Sequence, residues 1–112
     1  MIYDIALWSV PVANREQHRE IMRAIYSNIQ SKHEQFASLK SSRLYVLKDE
    51  SSGFETWSYV DAFADEYGYT QNVKALDEDV QAVTLRREWE SLIVPGSFKT
   101  GIWREFAPEI WI

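Results

Sequence analysis

The chain has 112 residues, of which 46% are hydrophobic and 14% aromatic, so one domain with a real core is expected over residues 1–112. A formal net charge of −5 argues against the basic surfaces that bind nucleic acid or anionic membranes, and the absence of cysteine excludes disulfides and thiolate chemistry. With no visible signal peptide and no apolar run of ~18 residues, the sequence favours a cytoplasmic protein.

The first predicted element is a strand over residues 2–10, because this stretch is rich in β-branched and aromatic residues. Pro11 ends it, since proline cannot donate a hydrogen bond to a neighbouring strand. Asn14 and Gln17 have the spacing of a capping box. Apolar residues at helical spacing then predict an amphipathic helix over residues 14–36.

Two further strands are predicted over residues 43–48 and 54–60. The segment 49–53 between them contains Asp, Ser and Gly, which suggests a hairpin with a longer loop. A helix follows from residue 62 to about residue 76, interrupted at Gly68.

Acidic residues at positions 77–79 mark the start of another helix, because the helix dipole favours negative charge at that end. Pro95-Gly96 ends this helix, and residues 98–106 form the fourth strand. The apolar tail 108–112 is expected to be ordered and docked, because typical disordered termini are polar. We expect it to pack against a partner subunit rather than its own.

The order β-α-β-β-α-β predicts an α+β, ferredoxin-like fold with a four-stranded antiparallel sheet. The first and third strands should be central, with the helices on one face of the sheet. Both faces of the strands carry large apolar side chains. One face would therefore expose an apolar patch too large for a typical monomer, which predicts a homodimer joined through its sheets.

Three segments, 57–61, 62–79 and 92–97, resemble the dimeric α+β barrel superfamily. The first is similar to the Trp-x-Tyr-x-Asp pattern of the NIPSNAP family, and residues 55–57 resemble the Glu-x-Trp of antibiotic-biosynthesis monooxygenases. The resemblance implies two ferredoxin-like subunits whose sheets form a dimeric α/β barrel. The early helix histidine of monooxygenase-like and haem-degrading members is missing from residues 61–67, so no cofactor is expected.

Several aromatic side chains are candidates for lining a small-molecule pocket between the sheet and the helices: Trp8, Trp57, Tyr59, Tyr67 and Trp103. Aromatic walls with a few polar groups are typical of ligand sites, but the same residues also suit an ordinary packed core. Tyr67 and Tyr69 flank Gly68, where they can form a lid or simply pack.

Glu55 is the candidate catalytic acid/base. A buried carboxylate beside a tryptophan in mid-strand would have a raised pKa, which suits a general base. The alternatives are an exposed position or an ion pair with Arg43 or Arg104. Asp4 is a possible second pocket carboxylate, or another partner of Arg104.

The two histidines, His18 and His33, lie fifteen residues apart on the first helix, or roughly 22 Å along its axis. They cannot share a metal within one subunit, and each is expected at the surface. The acidic run 77–79 is explained by a helix start, so no metal site is predicted.

Two functions fit these observations. One is a cofactor-independent enzyme, of monooxygenase or isomerase type, that acts on a small hydrophobic or aromatic molecule with Glu55 as acid/base. The other is a non-catalytic NIPSNAP-like module that binds a ligand or a partner protein. An enclosed cavity beside Glu55 favours the enzyme, and a filled core or an exposed Glu55 favours the module, because the fold itself serves many functions.

Overall fold

The computed structural model describes residues 1–48 and 53–112, so most of the predicted turn between the second and third strands lies outside the described residues. Four strands are observed within these two ranges: β1 (Ile2–Pro11), β2 (Ser41–Val46), β3 (Phe54–Phe63) and β4 (Lys99–Arg104). Three α-helices accompany them in the described part of the chain: α1 (Arg15–Ser31), α2 (Glu66–Glu78) and α3 (Val80–Leu92). A short 3₁₀ turn, Val12–Asn14, links β1 to α1.

The strands form one antiparallel sheet in the order β2-β3-β1-β4. This confirms the predicted α+β, ferredoxin-like architecture with the first and third strands at the centre. In the central pair, Trp8 lies opposite Trp57 and Asp4 lies opposite Asp61. Because side chains alternate between faces along a strand, all four of these residues point to the same side of the sheet.

That side is covered by the helices and contains the core. Its buried cluster comprises Ala6, Trp8, Val10, Met22 and Trp57. The opposite side, which we call the open face, carries large exposed side chains on three different strands: Leu7, Tyr45 and Trp103. The open face is therefore the apolar surface that the sequence predicted.

Strand β3 and helix α2 differ from their predicted bounds. The strand continues to Phe63, because its last residue still pairs with Ile2 at the start of β1. The helix then begins at Glu66, where the side chain of Asp65 accepts a hydrogen bond from the Gly68 amide. Gly68 thus belongs to the first turn of an uninterrupted helix, and the predicted interruption is wrong.

Helix α1 is shorter than predicted, because residues 32–38 form turns rather than a continued helix. The capping box is also absent, since Asn14 makes no cap bond and instead donates to the Leu92 carbonyl at the end of α3. A tertiary hydrogen bond has replaced the local one. At the start of α3, by contrast, Asp79 caps the helix by accepting from the Ala82 amide, as its acidic run suggested.

The two edge strands also shift, with β2 lying two residues earlier than expected and β4 shorter at both ends. The tail beyond β4 is exposed on its own subunit, with Ile110, Trp111 and Ile112 all solvent-accessible. Its docking on a partner stays a prediction. Within the residues described, no helix is long and apolar enough to cross a membrane.

Candidate functional site

The helix-covered face is centred on an aromatic cluster around Trp8. The rings of Trp57, Tyr59 and Trp89 lie 6.3, 5.9 and 5.5 Å from it, and Phe98 lies 6.3 Å away. Such spacings are typical of packed aromatic pairs. The structure therefore brings together three of the five aromatic candidates, and it does so in a filled core.

The other two aromatic candidates lie elsewhere. Trp103 is opposite Tyr3 on the open face and is 60% exposed. Tyr67 is 72% exposed on the surface of α2. Neither lines a pocket between the sheet and the helices within this subunit. Trp103 points to the side of the sheet away from the helices, and Tyr67 lies on the side of α2 that faces solvent.

His18 is buried against the aromatic cluster, so the expected surface position is wrong. Its Nε2 accepts a hydrogen bond from Trp8 Nε1 at 3.0 Å, and its ring lies 4.7 Å from that of Trp57. Burial lowers the pKa of His18 to about 4, and the neutral ring must then carry its proton on Nδ1. The four-residue spacing from His18 to Met22 was the sequence signal for a core-facing position.

Glu55 forms a bidentate ion pair with Arg19. Both oxygen–nitrogen distances are 2.9 Å, and Trp57 Nε1 donates to the same carboxylate at 3.3 Å. Burial alone would raise the pKa of Glu55, but the bonds from Arg19 and Trp57 outweigh it, and the pKa lies below its usual value. The expected raised pKa and the expected partners, Arg43 or Arg104, are therefore wrong.

Asp4 is buried on the helix-covered face and does not meet an arginine. Its carboxylate accepts from Tyr59 Oη at 2.8 Å and also from the Thr100 hydroxyl. Arg104 is exposed and pairs in register with Ile2. The expected Asp4–Arg104 pair is wrong because the two residues are out of register by two positions.

A second polar chain lies beside Asp4. Asp61 accepts a hydrogen bond from the Ser42 hydroxyl, and Ser42 Oγ lies 2.5 Å from Tyr26 Oη. Burial, reinforced by the charge of Asp4 and opposed by Ser42, raises the pKa of Asp61 to about 6. Burial also raises the pKa of Tyr26 to about 12. Sequence reasoning noted Asp61 only within a motif and did not single out Tyr26 or Ser42.

An open groove of about 250 Å³ runs between helix α1 and strands β2 and β3. We call it the α1 groove, and its lining residues are Arg19, Met22, Arg23, Tyr26, Leu44 and Trp57. Arg19 is held by Glu55 and lies 5.6 Å from the centre of the Trp57 ring. Arg23 is exposed and has no ion-pair or hydrogen-bond partner among the described residues. Glu55 itself does not line this groove.

A larger groove of about 550 Å³ lies between the turns that follow α1 and helix α2. Its walls are polar and solvent-exposed, and it lies away from the aromatic cluster. Within the two described ranges, no three histidine, aspartate or glutamate side chains are grouped as a metal would need.

Known structures of the same fold are numerous, although no family model and no curated protein matches the sequence. An antibiotic biosynthesis monooxygenase superposes with a TM-score of 0.63 at 11% identity, covering 94% of this chain and 98% of the other. A NIPSNAP family protein from Agrobacterium tumefaciens gives 0.66 at 15% identity, covering 96% of both chains. A variant of SnoaB, a cofactor-independent oxygenase from Streptomyces nogalater, gives 0.57 at 10% identity, with coverages of 94% and 92%.

These neighbours come from the two groups that the motifs around Trp57 resemble. At such identities the likeness establishes the fold and not the activity. The chain therefore has the ferredoxin-like α+β fold shared by antibiotic biosynthesis monooxygenase-like and NIPSNAP proteins.

Proposed function

We propose that the protein is a homodimeric α+β barrel that binds a small carboxylic acid with one aromatic ring in the α1 groove. The observation that carries this proposal is an aromatic and aliphatic groove with an unpaired guanidinium, Arg23, at its side. A volume of 250 Å³ equals about eight waters at ~30 Å³ each, which suits a compound with one aromatic ring. Apolar walls with a few placed polar groups are the usual make-up of such sites.

The two arginines of the groove have different roles in this proposal. Arg19 is fixed by its bidentate pair with Glu55, so it holds its position beside the Trp57 ring. Arg23 follows one helical turn later and has no competing carboxylate among the described residues. A carboxylate on the ligand would therefore pair with Arg23, because guanidinium groups match carboxylate geometry.

Glu55 serves this site as a positioning residue rather than as a general base. Both of its oxygens accept from Arg19, and its pKa is lowered. A general base must be free to take a proton near the working pH. This favours ligand binding over the catalytic role of Glu55 that the sequence suggested.

The homodimer part of the proposal rests on the open face. Exposed Leu7, Tyr45 and Trp103 lie on three different strands of one surface, and patches of this kind usually mark an interface. The open face of a second copy of this chain would cover the patch. Likeness to an antibiotic biosynthesis monooxygenase and to a cofactor-independent oxygenase supports a small-molecule site on this scaffold.

The test is a titration with phenylacetate, a carboxylate that carries one aromatic ring, followed by amide and indole chemical shifts. We expect saturable shifts at residues of α1 and at the Trp57 indole. Benzylamine, which has the same ring and the opposite charge, should bind more weakly. Arg23→Ala should weaken phenylacetate binding about tenfold or more, as expected for a charge-assisted pair.

Arg87→Ala is the matched control, because Arg87 is exposed on α3 and lies outside the groove. It makes the same change in net charge. Equal binding of phenylacetate and benzylamine, or equal losses in the two arginine variants, would overturn the proposed site.

A further inference from the structure

We infer that Tyr26, Ser42 and Asp61 form a proton-transfer chain that lets the α1 groove act on aryl compounds with an acidic C–H next to a carbonyl group. The inference rests on the proposed function, because it assumes that the ligand occupies the groove. It gives the site a chemistry that Glu55 does not supply.

The chain connects the groove to a carboxylate that is not itself part of the groove lining. Tyr26 forms part of the groove wall, and its hydroxyl oxygen lies 2.5 Å from Ser42 Oγ. Ser42 in turn donates to Asp61 on the neighbouring strand. Protons can pass along such a row of hydroxyl groups without any large movement of side chains.

The direction of this row depends on Asp61. A serine hydroxyl carries one hydrogen, so when Asp61 is ionised Ser42 donates to it and Tyr26 donates to Ser42. The Tyr26 oxygen is then left with acceptor capacity, and we infer that a ligand in the groove reaches it because Tyr26 is part of the groove wall. When Asp61 is protonated the row can reverse, and Tyr26 can donate to a ligand oxygen. One chain therefore supplies both a base and an acid.

The surroundings of Asp61 place it in the range where such chemistry works. Burial and the adjacent Asp4 raise its pKa to about 6, close to neutral pH as efficient acid/base catalysis requires. The other titratable groups facing this carboxylate pair are Tyr59, which donates to Asp4, and Tyr69 on α2, whose pKa is raised by burial and by Asp4. The two cations that line the groove are Arg19 and Arg23.

The step balances without an oxidant or a cofactor. The ligand C–H bond breaks, and its proton passes to the Tyr26 oxygen as the Tyr26 proton moves to Ser42 and the Ser42 proton moves to Asp61. The electron pair stays on the ligand as an enolate. Reversal of the chain returns a proton to carbon or to oxygen, which exchanges the hydrogen or converts the keto form to the enol.

Phenylpyruvate is the probe, because it combines one aromatic ring, a carboxylate and an acidic methylene. Exchange of its methylene hydrogens in D₂O is followed by NMR, with buffer as background. We expect the wild-type protein to accelerate this exchange. Tyr26→Phe and Ser42→Ala should each reduce the acceleration by a factor of about 10²–10⁴. Ser42→Thr keeps the hydroxyl and should retain most of it.

Matched controls are Tyr67→Phe and Ser41→Ala. Tyr67 is exposed on α2, and Ser41 is the exposed neighbour of Ser42 that points to the other side of β2. Both control variants should catalyse exchange of the phenylpyruvate methylene hydrogens at the wild-type rate. Wild-type exchange in Ser42→Ala would overturn the chain.

The pH profile separates proton transfer from a structural role. The wild-type exchange rate should rise as pH increases through about 6, where Asp61 ionises, and Asp61→Asn should abolish this rise. Phenylacetate binding is measured on the same samples. Binding without exchange overturns the proton chain and leaves the proposed function standing, whereas failure of binding overturns the proposed function itself.

Discussion

Glu55 illustrates how a neighbour outside the local sequence decides the chemistry of a side chain. Its position on the same face as Trp57 and Tyr59 follows from strand alternation and was predicted. Its partner was not, because Arg19 lies on a helix whose rotation about its axis is set only when α1 packs on the sheet. With Arg19 in place the carboxylate is held ionised, and the sequence-based pKa argument reverses.

Replacing Arg19 should therefore leave the largely buried carboxylate of Glu55 without its ion-pair partner. We expect Arg19→Met to lower the free energy of unfolding by about 1–3 kcal/mol, and the double variant with Glu55→Gln to recover part of this loss. Urea unfolding would measure both, with Arg87→Met as the control on α3. An Arg19→Met protein as stable as the control would show that the pair contributes nothing.

His18 and Asp61 should have opposite effects on stability as pH changes. The pKa of His18 falls from 6.5 to about 4 on folding, so the unfolded chain binds more protons between these values and stability rises with pH there. The pKa of Asp61 rises from 3.8 to about 6, so stability falls as pH rises through that window. The two effects oppose each other between about pH 4 and 6.

Asp61→Asn should expose the histidine effect. We expect the variant to lose stability on acidification from pH 6.5 to 4, by up to about 1.4 kcal/mol per pH unit, while the wild type changes much less. Urea midpoints across this range are the measurement. A variant whose pH dependence matches the wild type would contradict the opposing shifts.

Local sequence patterns predicted the type and order of the helices and strands more accurately than the residues at which they begin and end. The aromatic and β-branched runs gave the central strands, and the acidic run before residue 80 predicted the start of α3. Helix α1 does not have the predicted capping box, because Asn14 donates a hydrogen bond to the end of α3 instead. Strand β3 extends three residues further than predicted, because those residues pair with the start of β1. Both differences come from contacts between elements that are distant in sequence, which no local pattern contains.

Asp79 is the residue on which the junction of α1, α2 and α3 depends. Besides capping α3, its carboxylate accepts from Asn28 at 3.0 Å and from Lys32 at 2.8 Å, and these bonds hold its pKa well below the usual value. Asp79→Ala should lower the free energy of unfolding by about 2–4 kcal/mol, because the helix cap is lost and the buried Asn28 amide is left without its acceptor. The control Asp77→Ala breaks only an exposed pair with Arg86, worth about 0–1 kcal/mol, and similar losses in both variants would contradict this role.

For the whole molecule, the central question is what covers the open face. We expect a dimer of mass near twice 13.2 kDa, with a total interface well above about 1,000 Å². Light scattering over a dilution series measures this, and Leu7→Arg should shift the mass towards one subunit because it places a charge within the interface. A single-subunit mass for the wild type at micromolar concentration would refute the dimer.

The exposed tail gives a separate test of the assembly. Deletion of residues 108–112 should lower the melting temperature or weaken the dimer, because Ile110, Trp111 and Ile112 have no cover on their own subunit. Unheated and heated samples of the truncated and full chains would be compared by circular dichroism and light scattering. Identical melting curves and masses would show that the tail does not dock.

The strand order also has a consequence for how the chain reaches this structure. Strand β1 lies at the centre of the sheet, yet one of its two neighbours is β4, which follows the other three strands of this sheet in the sequence. A growing chain must therefore leave one edge of β1 unpaired until β4 has been made. Pairings between such distant segments slow folding and leave time for association with other chains.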